Sequence, residues 1–132
     1  MKGLSTKISK CLVPGSILTC ADNSGAKVLF IINKIGGNGS KGRLSHAGIG
    51  DLVSVSVKVG NLQHMKKIQK AIIIRQKQPI RRANGMRVRF EDNAAILIND
   101  VNLPIATEIK GPVAREVIER NIKIATIASR VV

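Results

Sequence analysis

The sequence predicts a mainly β fold, a small barrel built from five or six short strands and followed by one or two short helices. Three observations predict it. Apolar and polar residues alternate over short runs up to about residue 100, Gly, Asn and Asp cluster between those runs, and the period changes after Gly111-Pro112. With 132 residues, 44% of them hydrophobic, one domain with its own core is expected, without disulfide or metal staples. Its expected parts are an N-terminal arm over 1–14, the barrel over 15–100 and a helical C-terminal region over 101–132.

The elements follow in order. Leu4, Ile8, Cys11 and Leu12 share a helical face among Lys2, Lys7 and Lys10, a pattern with a faint likeness to a transit peptide; Pro14-Gly15 cuts it short, and a basic arm is the favoured reading. Ile17 to Ala21 and Val28 to Ile35 are β-branched runs around Asp22-Asn23-Ser24-Gly25, a turn sequence, so they read as a hairpin. Gly36 to Gly50 holds six glycines with Lys41 and Arg43 and is expected to project, contributing no core. Val53, Val55, Val57 and Val59 alternate with Ser54, Ser56 and Lys58, the mark of a half-buried strand. The continuous run Ala71 to Arg75 suits a central or barrel strand.

Arg81-Arg82 precede Asn84-Gly85, a tight-turn signal, and Met86, Val88 and Phe90 alternate with Arg87 and Arg89. A hairpin tipped with guanidinium groups is expected there, then a strand over Ala94 to Ile98. Pro112 suits a first helical turn after Gly111, and the helix would run to Arg120. Arg115 and Glu119, and Glu116 and Arg120, would pair at i,i+4, with Val113, Val117 and Ile118 facing the body. Ile122, Ile124 and Ile127 fit either a second short helix or an extended tail.

Charge carries the functional reading. The net charge is +14, yet residues 1–90 hold seventeen basic residues against Asp22 and Asp51, while residues 91–132 hold five basic and six acidic residues. From Leu52 to Phe90 there is no acid at all, among ten cations. Such a block repels itself in a compact fold unless a polyanion supplies counter-charge, and phosphate backbones are the commonest one. Twelve residues are candidates to meet phosphate: Lys27, Lys41, Arg43, Lys66, Lys67, Lys70, Arg75, Lys77, Arg81, Arg82, Arg87 and Arg89. In the near-neutral C-terminal segment Thr107, Glu108, Arg115, Glu116 and Glu119 present mixed polar groups that suit a protein interface.

Other chemistry finds little support. Cys11 and Cys20 lie nine apart with His46 and His64 remote, so no metal-finger spacing exists and two reduced thiols are expected. Gly36 to Lys41 lacks the Gly-Lys-Ser/Thr of a nucleotide-binding loop, and neither H-E-x-x-H nor G-x-S-x-G occurs. Glu91 and Asp92 are adjacent and point to opposite faces of a strand, where they would end the basic hairpin or accept hydrogen bonds in the turn with Asn93 rather than form an acid/base pair. Asp22 and Asp51 fit turn carboxylates that bond local amides. No apolar run approaches the roughly 18 residues of a membrane span, and no signal-peptide core is evident. With no Trp or Tyr and only Phe30 and Phe90, stacking on bases is not the mode of recognition; phosphates and shape are.

The strings Ala21-Asp22-Asn23-Ser24-Gly25-Ala26-Lys27, Ala47-Gly48-Ile49-Gly50-Asp51, Ala71-Ile72-Ile73-Ile74-Arg75, Arg81-Arg82 before Asn84-Gly85, Arg89-Phe90-Glu91-Asp92-Asn93-Ala94 and Gly111-Pro112-Val113-Ala114-Arg115-Glu116 are all present, in this order. In them the chain resembles the universal large-subunit ribosomal protein fourteen family, from Gly15 onward. The long stretch before Pro14-Gly15, Cys20 before Ala-Asp-Asn, and Glu91-Asp92-Asn93 resemble its archaeal and eukaryotic branch. The Gly36 to Lys41 run departs from it in length. The resemblance implies a mainly β protein, a small five-stranded β-barrel with a projecting β-ribbon and short C-terminal helices, in the cytoplasmic ribosome. It implies no enzyme activity and no cofactor. The implied partners are large-subunit rRNA, small-subunit rRNA at an intersubunit bridge, neighbouring large-subunit proteins of the L3 and L24e types, and the anti-association initiation factor six. Beside this stand two other readings, a nucleic-acid-binding module acting off the ribosome and, third, an enzyme.

Overall fold

β-Branched and aliphatic residues crowd the first hundred positions and favour a pleated, half-buried surface. In the computed structural model, which describes residues 3–37, 41 and 43–132, they form seven strands, and two more follow beyond residue 100. These are β1 (Ile17–Cys20), β2 (Ala26–Lys34), β3 (Leu52–Gly60), β4 (Ile68–Arg75), β5 (Ile80–Arg81), β6 (Arg87–Val88), β7 (Ala94–Ile98), β8 (Ile109–Val113) and β9 (Ala128–Val131), with helix α1 (Arg115–Arg120) and a 3-10 turn (Ile122–Ile124) between the last two. Strands β1, β2, β3, β4 and β7 close into a five-stranded barrel, antiparallel except where β1 meets β7 in parallel at Thr19–Ala94. A two-stranded ribbon, β5–β6, extends from it, and β8 pairs with β9 in parallel.

The barrel interior is filled by Leu29, Ile31, Val53, Val55, Ala71, Ile73 and Leu97, all essentially fully buried. Ile74 and Ile96 belong to the opposite parity on β4 and β7 and are buried too, because the C-terminal layer covers that wall and the Ala114 N–H donates to the Ile74 carbonyl at 3.4 Å. This double burial is the physical reason Ala71 to Arg75 reads as an unbroken apolar run. On β3 the expected alternation holds through Val57, then fails: register shifts between β2 and β3 leave Val59 half-exposed beside Lys58.

Three expectations are corrected. The Gly36–Gly50 segment does contribute core, since Ala47 and Ile49 are buried beneath the N-terminal arm, with Leu12 and Ala47 exchanging backbone hydrogen bonds of 3.0 and 2.7 Å. Gly39 and Gly42 of that loop, and Lys2 of the arm, lie outside the described residues. Pro112 does not start the helix; it sits in β8 at a register irregularity, where a missing N–H is tolerated, and α1 begins at Arg115. The tail is neither alternative alone, being a 3-10 turn followed by β9.

Charged residues join these layers. Asp22 is buried and accepts from the Ser24 and Leu97 N–H groups, at 3.0 and 2.8 Å, and from the Ser24 hydroxyl, tying the first turn to β7. The Cys20 thiol donates to the same carboxylate; burial first, then the Asp22 charge, pushes that thiol up to about 12. Asp51 accepts from the Gly48 N–H and pairs with Lys34 at 2.9 Å and Arg120 at 3.0 Å, which pins α1 to the barrel. Arg75 pairs with Asp92 at 2.9 Å and donates to the carbonyls of Lys110 and Pro112. Gly111 lies between those carbonyls at φ +83°, where a Cβ would stand 2.9 Å from the Arg75 guanidinium.

The most buried joint is Arg82–Glu116. Arg82 Nε donates to Glu116 Oε1 at 3.0 Å, Arg82 Nη2 donates to the Val132 carbonyl oxygen at 2.6 Å, and the Thr6 hydroxyl donates to Glu116 Oε1 at 3.1 Å. The two side chains are 9% and 1% exposed, so ribbon, helix, terminal strand and arm meet at one desolvated ion pair. The helical pairs expected at i,i+4 do not form: Glu116 and Arg120 are taken by Arg82 and Asp51.

Removing one member of a buried pair leaves the other charge uncompensated. Arg82→Ala is therefore expected to destabilise the chain by about 3–5 kcal/mol in denaturant unfolding, whereas its exposed neighbour changed as Arg81→Ala should shift stability by no more than about 0.5 kcal/mol. Equal effects would contradict the assignment. Acid should loosen the second joint. The Arg75 hydrogen bonds hold the Asp92 carboxyl below its ordinary range despite partial burial. A depressed folded-state pKa gives stability that is present above the unfolded value, about 3.9, and lost as pH falls through the folded one. Thermal melts from pH 7 to pH 2 should show that loss, and Asp92→Asn should show a shallower acid dependence.

Candidate nucleic-acid interface

The ribbon sorts its side chains by the period of a strand. Ile80 and Val88 are cross-strand partners turned toward the body, and Arg81 and Arg87 are partners on the opposite, exposed face, with exposed Arg89 two residues on from Arg87. The turn at Asn84-Gly85 is as expected: Gly85 takes φ +84°, and Asn84 Oδ1 accepts from the Met86 N–H at 3.0 Å.

The N-terminal arm adds a single bridge to the edge of this ribbon. Lys7 bridges Arg81 antiparallel, with backbone hydrogen bonds of 3.0 and 3.3 Å, and its side chain is exposed. Lys7, Arg81 and Arg87 thus form a row across three backbones spaced by roughly 4.8 Å. Like charges placed opposite each other on a sheet destabilise it. A row of three cations is stabilised when an anion with regularly spaced charges lies along it, and bidentate guanidinium–phosphate geometry matches that need. Lys7 was not singled out by the sequence, because pairing across more than seventy residues leaves no local signal.

The structure divides the other candidates. Lys27, Lys41, Arg43, Lys66, Lys67 and Lys77 are exposed. Lys66 takes φ +62° in the turn that folds back along β3 at the Val57–Met65 bridge, close to Lys58. Lys70 is half-exposed and paired with Asp100 at 2.9 Å. Arg75 and Arg82 are corrected: both are buried at 8% exposure and spend their donors on Asp92, Glu116 and backbone carbonyls, so neither presents a free guanidinium to phosphate. Their neighbours in sequence, Lys77 and Arg81, are the exposed ones.

On the protein-facing side Thr107, Glu108 and Arg115 are exposed and Glu119 half-exposed. Glu116 is corrected, being 1% exposed and committed to Arg82 and Thr6. Thr107 is held by Asn23, which donates to its hydroxyl at 2.9 Å and accepts from its N–H. Beside it a shallow cleft of about 550 Å³ runs between residues 103–107 and Lys123, Thr126 and Ile127. Among the described residues no group of three or more His, Cys, Asp and Glu is placed to hold a metal ion, and no helix is long and apolar enough to cross a membrane.

Comparison with known proteins identifies the family. Residues 11–132 match the family described as ribosomal protein L14p/L23e. The large ribosomal subunit protein uL14 of Halorubrum lacusprofundi is 49% identical over the whole of both chains, that of Methanothrix thermoacetophila 50%, and that of Methanocorpusculum labreanum 47%, each likewise over their full length. These similarities extend through the barrel, the ribbon and the C-terminal layer alike. On that footing, this chain belongs to the ribosomal protein L14p/L23e family.

Proposed function

We propose that this chain is a structural constituent of the large ribosomal subunit in the cytoplasm, gripping large-subunit rRNA through the exposed cations of the ribbon and barrel. The observation that carries the proposal is the Lys7–Arg81–Arg87 row, three exposed cations in register and, among the described residues, without a carboxylate partner. Arg89 continues it, and Lys77, Lys41 and Arg43 are further exposed cations. The buried Arg75 and Arg82 serve this surface indirectly, by holding the ribbon and the C-terminal layer to the barrel. The same ribbon face reaches small-subunit rRNA at an intersubunit bridge. The C-terminal surface, with Thr107 at the cleft and Glu108, Arg115 and Glu119 elsewhere on it, receives neighbouring large-subunit proteins of the L3 and L24e types and the anti-association initiation factor six. Mixed polar groups around a shallow, partly apolar cleft support that assignment. Sedimentation of lysate tests the whole reading: the chain should travel with large subunits, and a chain acting off the ribosome would remain in light fractions.

Binding to rRNA should be dominated by counterion release. If roughly 6–10 phosphates are neutralised, log K falls against log salt with a slope of about −0.7 to −0.9 per phosphate. Arg81→Ala with Arg87→Ala should leave the fold intact and flatten that slope by roughly 1 for each charge. An unchanged slope would contradict the row as the grip. Glu108→Lys with Glu119→Lys should leave rRNA binding intact and impair subunit joining or factor association. Loss of rRNA binding with normal joining would reverse the two surfaces.

A further inference from the structure

The strongest apolar feature outside these surfaces is on the barrel wall. Ile17 pairs with Phe30, Phe30 with Ser56, and Ser56 with Ile68, so four adjacent strands place one outward-facing row across the barrel. Ile17 is 65% exposed and Ile68 72%, with Phe30 half-buried between them. Isolated exposed aliphatics need no explanation; a row in register across four strands does. The acids near its two ends, Asp92 beside Thr19 and Asp100 beside Ile68, are paired with Arg75 and Lys70, which among the described residues leaves unpaired lysines around the row. Strands β1 to β4 contain no acidic residue, Lys58 Nζ stands 4.9 Å from the Phe30 ring centroid, exposed Lys66 and Lys67 lead into Ile68, and exposed Lys27 lies on β2.

We infer that this wall is a second protein-docking surface, taking a segment of a neighbouring protein whose apolar side chains cover Ile17, Phe30 and Ile68 and whose flanking Asp or Glu residues meet Lys27, Lys58, Lys66 and Lys67. An RNA strand is the poorer occupant. Its phosphates would suit the lysines, but its polar surface would leave the aliphatic row without an apolar complement, and the single ring, already capped by Lys58, is no platform for successive bases. Interface cores lose charge and gain aliphatic and aromatic side chains while the rim stays polar, which is the pattern here. Charge complementarity then selects an acidic rim on the partner. This moves Lys27, Lys66 and Lys67 from phosphate contact to protein contact, and places protein docking on the basic body as well as at the C-terminal end. The inference rests on the proposed residence in the large subunit.

Photo-crosslinking in purified large subunits tests it, with p-benzoylphenylalanine in place of Ile68 in one preparation and of Arg87 in another. The Arg87 probe reports the proposed rRNA face, so failure of that reading shows separately from failure of this one. From the Ile68 probe, the expected adduct survives ribonuclease and maps by mass spectrometry to a protein peptide with apolar residues flanked by Asp or Glu. Ile17→Ser, exposed and so expected to leave the thermal melt unchanged, should lower the adduct yield by about tenfold. An Ile68 adduct with rRNA, with a second copy of this chain or with a basic peptide would overturn the inference, as would no adduct where the Arg87 probe reacts.

Discussion

A single buried ion pair decides how the outer parts of this molecule are arranged. Arg82 sits at the base of the ribbon turn and Glu116 in the first turn of a six-residue helix, too short to be stable by itself. Burying both charges is costly unless every donor and acceptor finds a partner. Here the remaining capacity is taken up by Thr6 from the arm and the Val132 carbonyl from the terminal strand. Four segments distant in sequence are thereby fixed to one another, and the cation row on the ribbon inherits its geometry from that fixation.

The basic composition consequently resolves into two populations with different work. Arg75, Arg82, Arg120 and Lys34 face inward and are matched by Asp92, Glu116 and Asp51, and they hold the C-terminal layer on the barrel. The outward cations of the ribbon and arm have no such partners in the contacts above and are available to phosphate. Acidic residues are scarce in this chain, and half of the eight are consumed in buried or half-buried joints: Asp22, Asp51, Asp92 and Glu116. That use keeps the exposed surface of the ribbon free of carboxylates, which preserves its field for a polyanion.

Much of the barrel was legible because its signals are local. Alternation over Val53 to Val57, the Asp22 to Gly25 turn and the Asn84-Gly85 turn each follow from a few adjacent residues, and each stands in the structure. The candidate site was legible as a block but not residue by residue. Nothing local tells Arg81 from Arg82, since burial of the latter depends on a helix thirty-four positions away. The same holds for Arg75, whose partners are Asp92 and the Lys110 and Pro112 carbonyls, and for Lys7, whose place depends on strand pairing with residue 81. The helix start was misplaced for a related reason: Pro112 fits a first helical turn as well as a strand irregularity, and only the pairing of β8 with β9 decides between them.

Glu116 couples arm, ribbon and C-terminus through Arg82, and amide hydrogen exchange on Glu116→Gln measures that coupling directly. The expected result is a joint loss of protection at Lys7, Arg81, Arg82 and Val132, whose segments this cluster joins, while Leu29, Ile31, Val55 and Ile73 inside the barrel keep theirs. Loss confined to α1, with the arm and ribbon amides as protected as before, would contradict it.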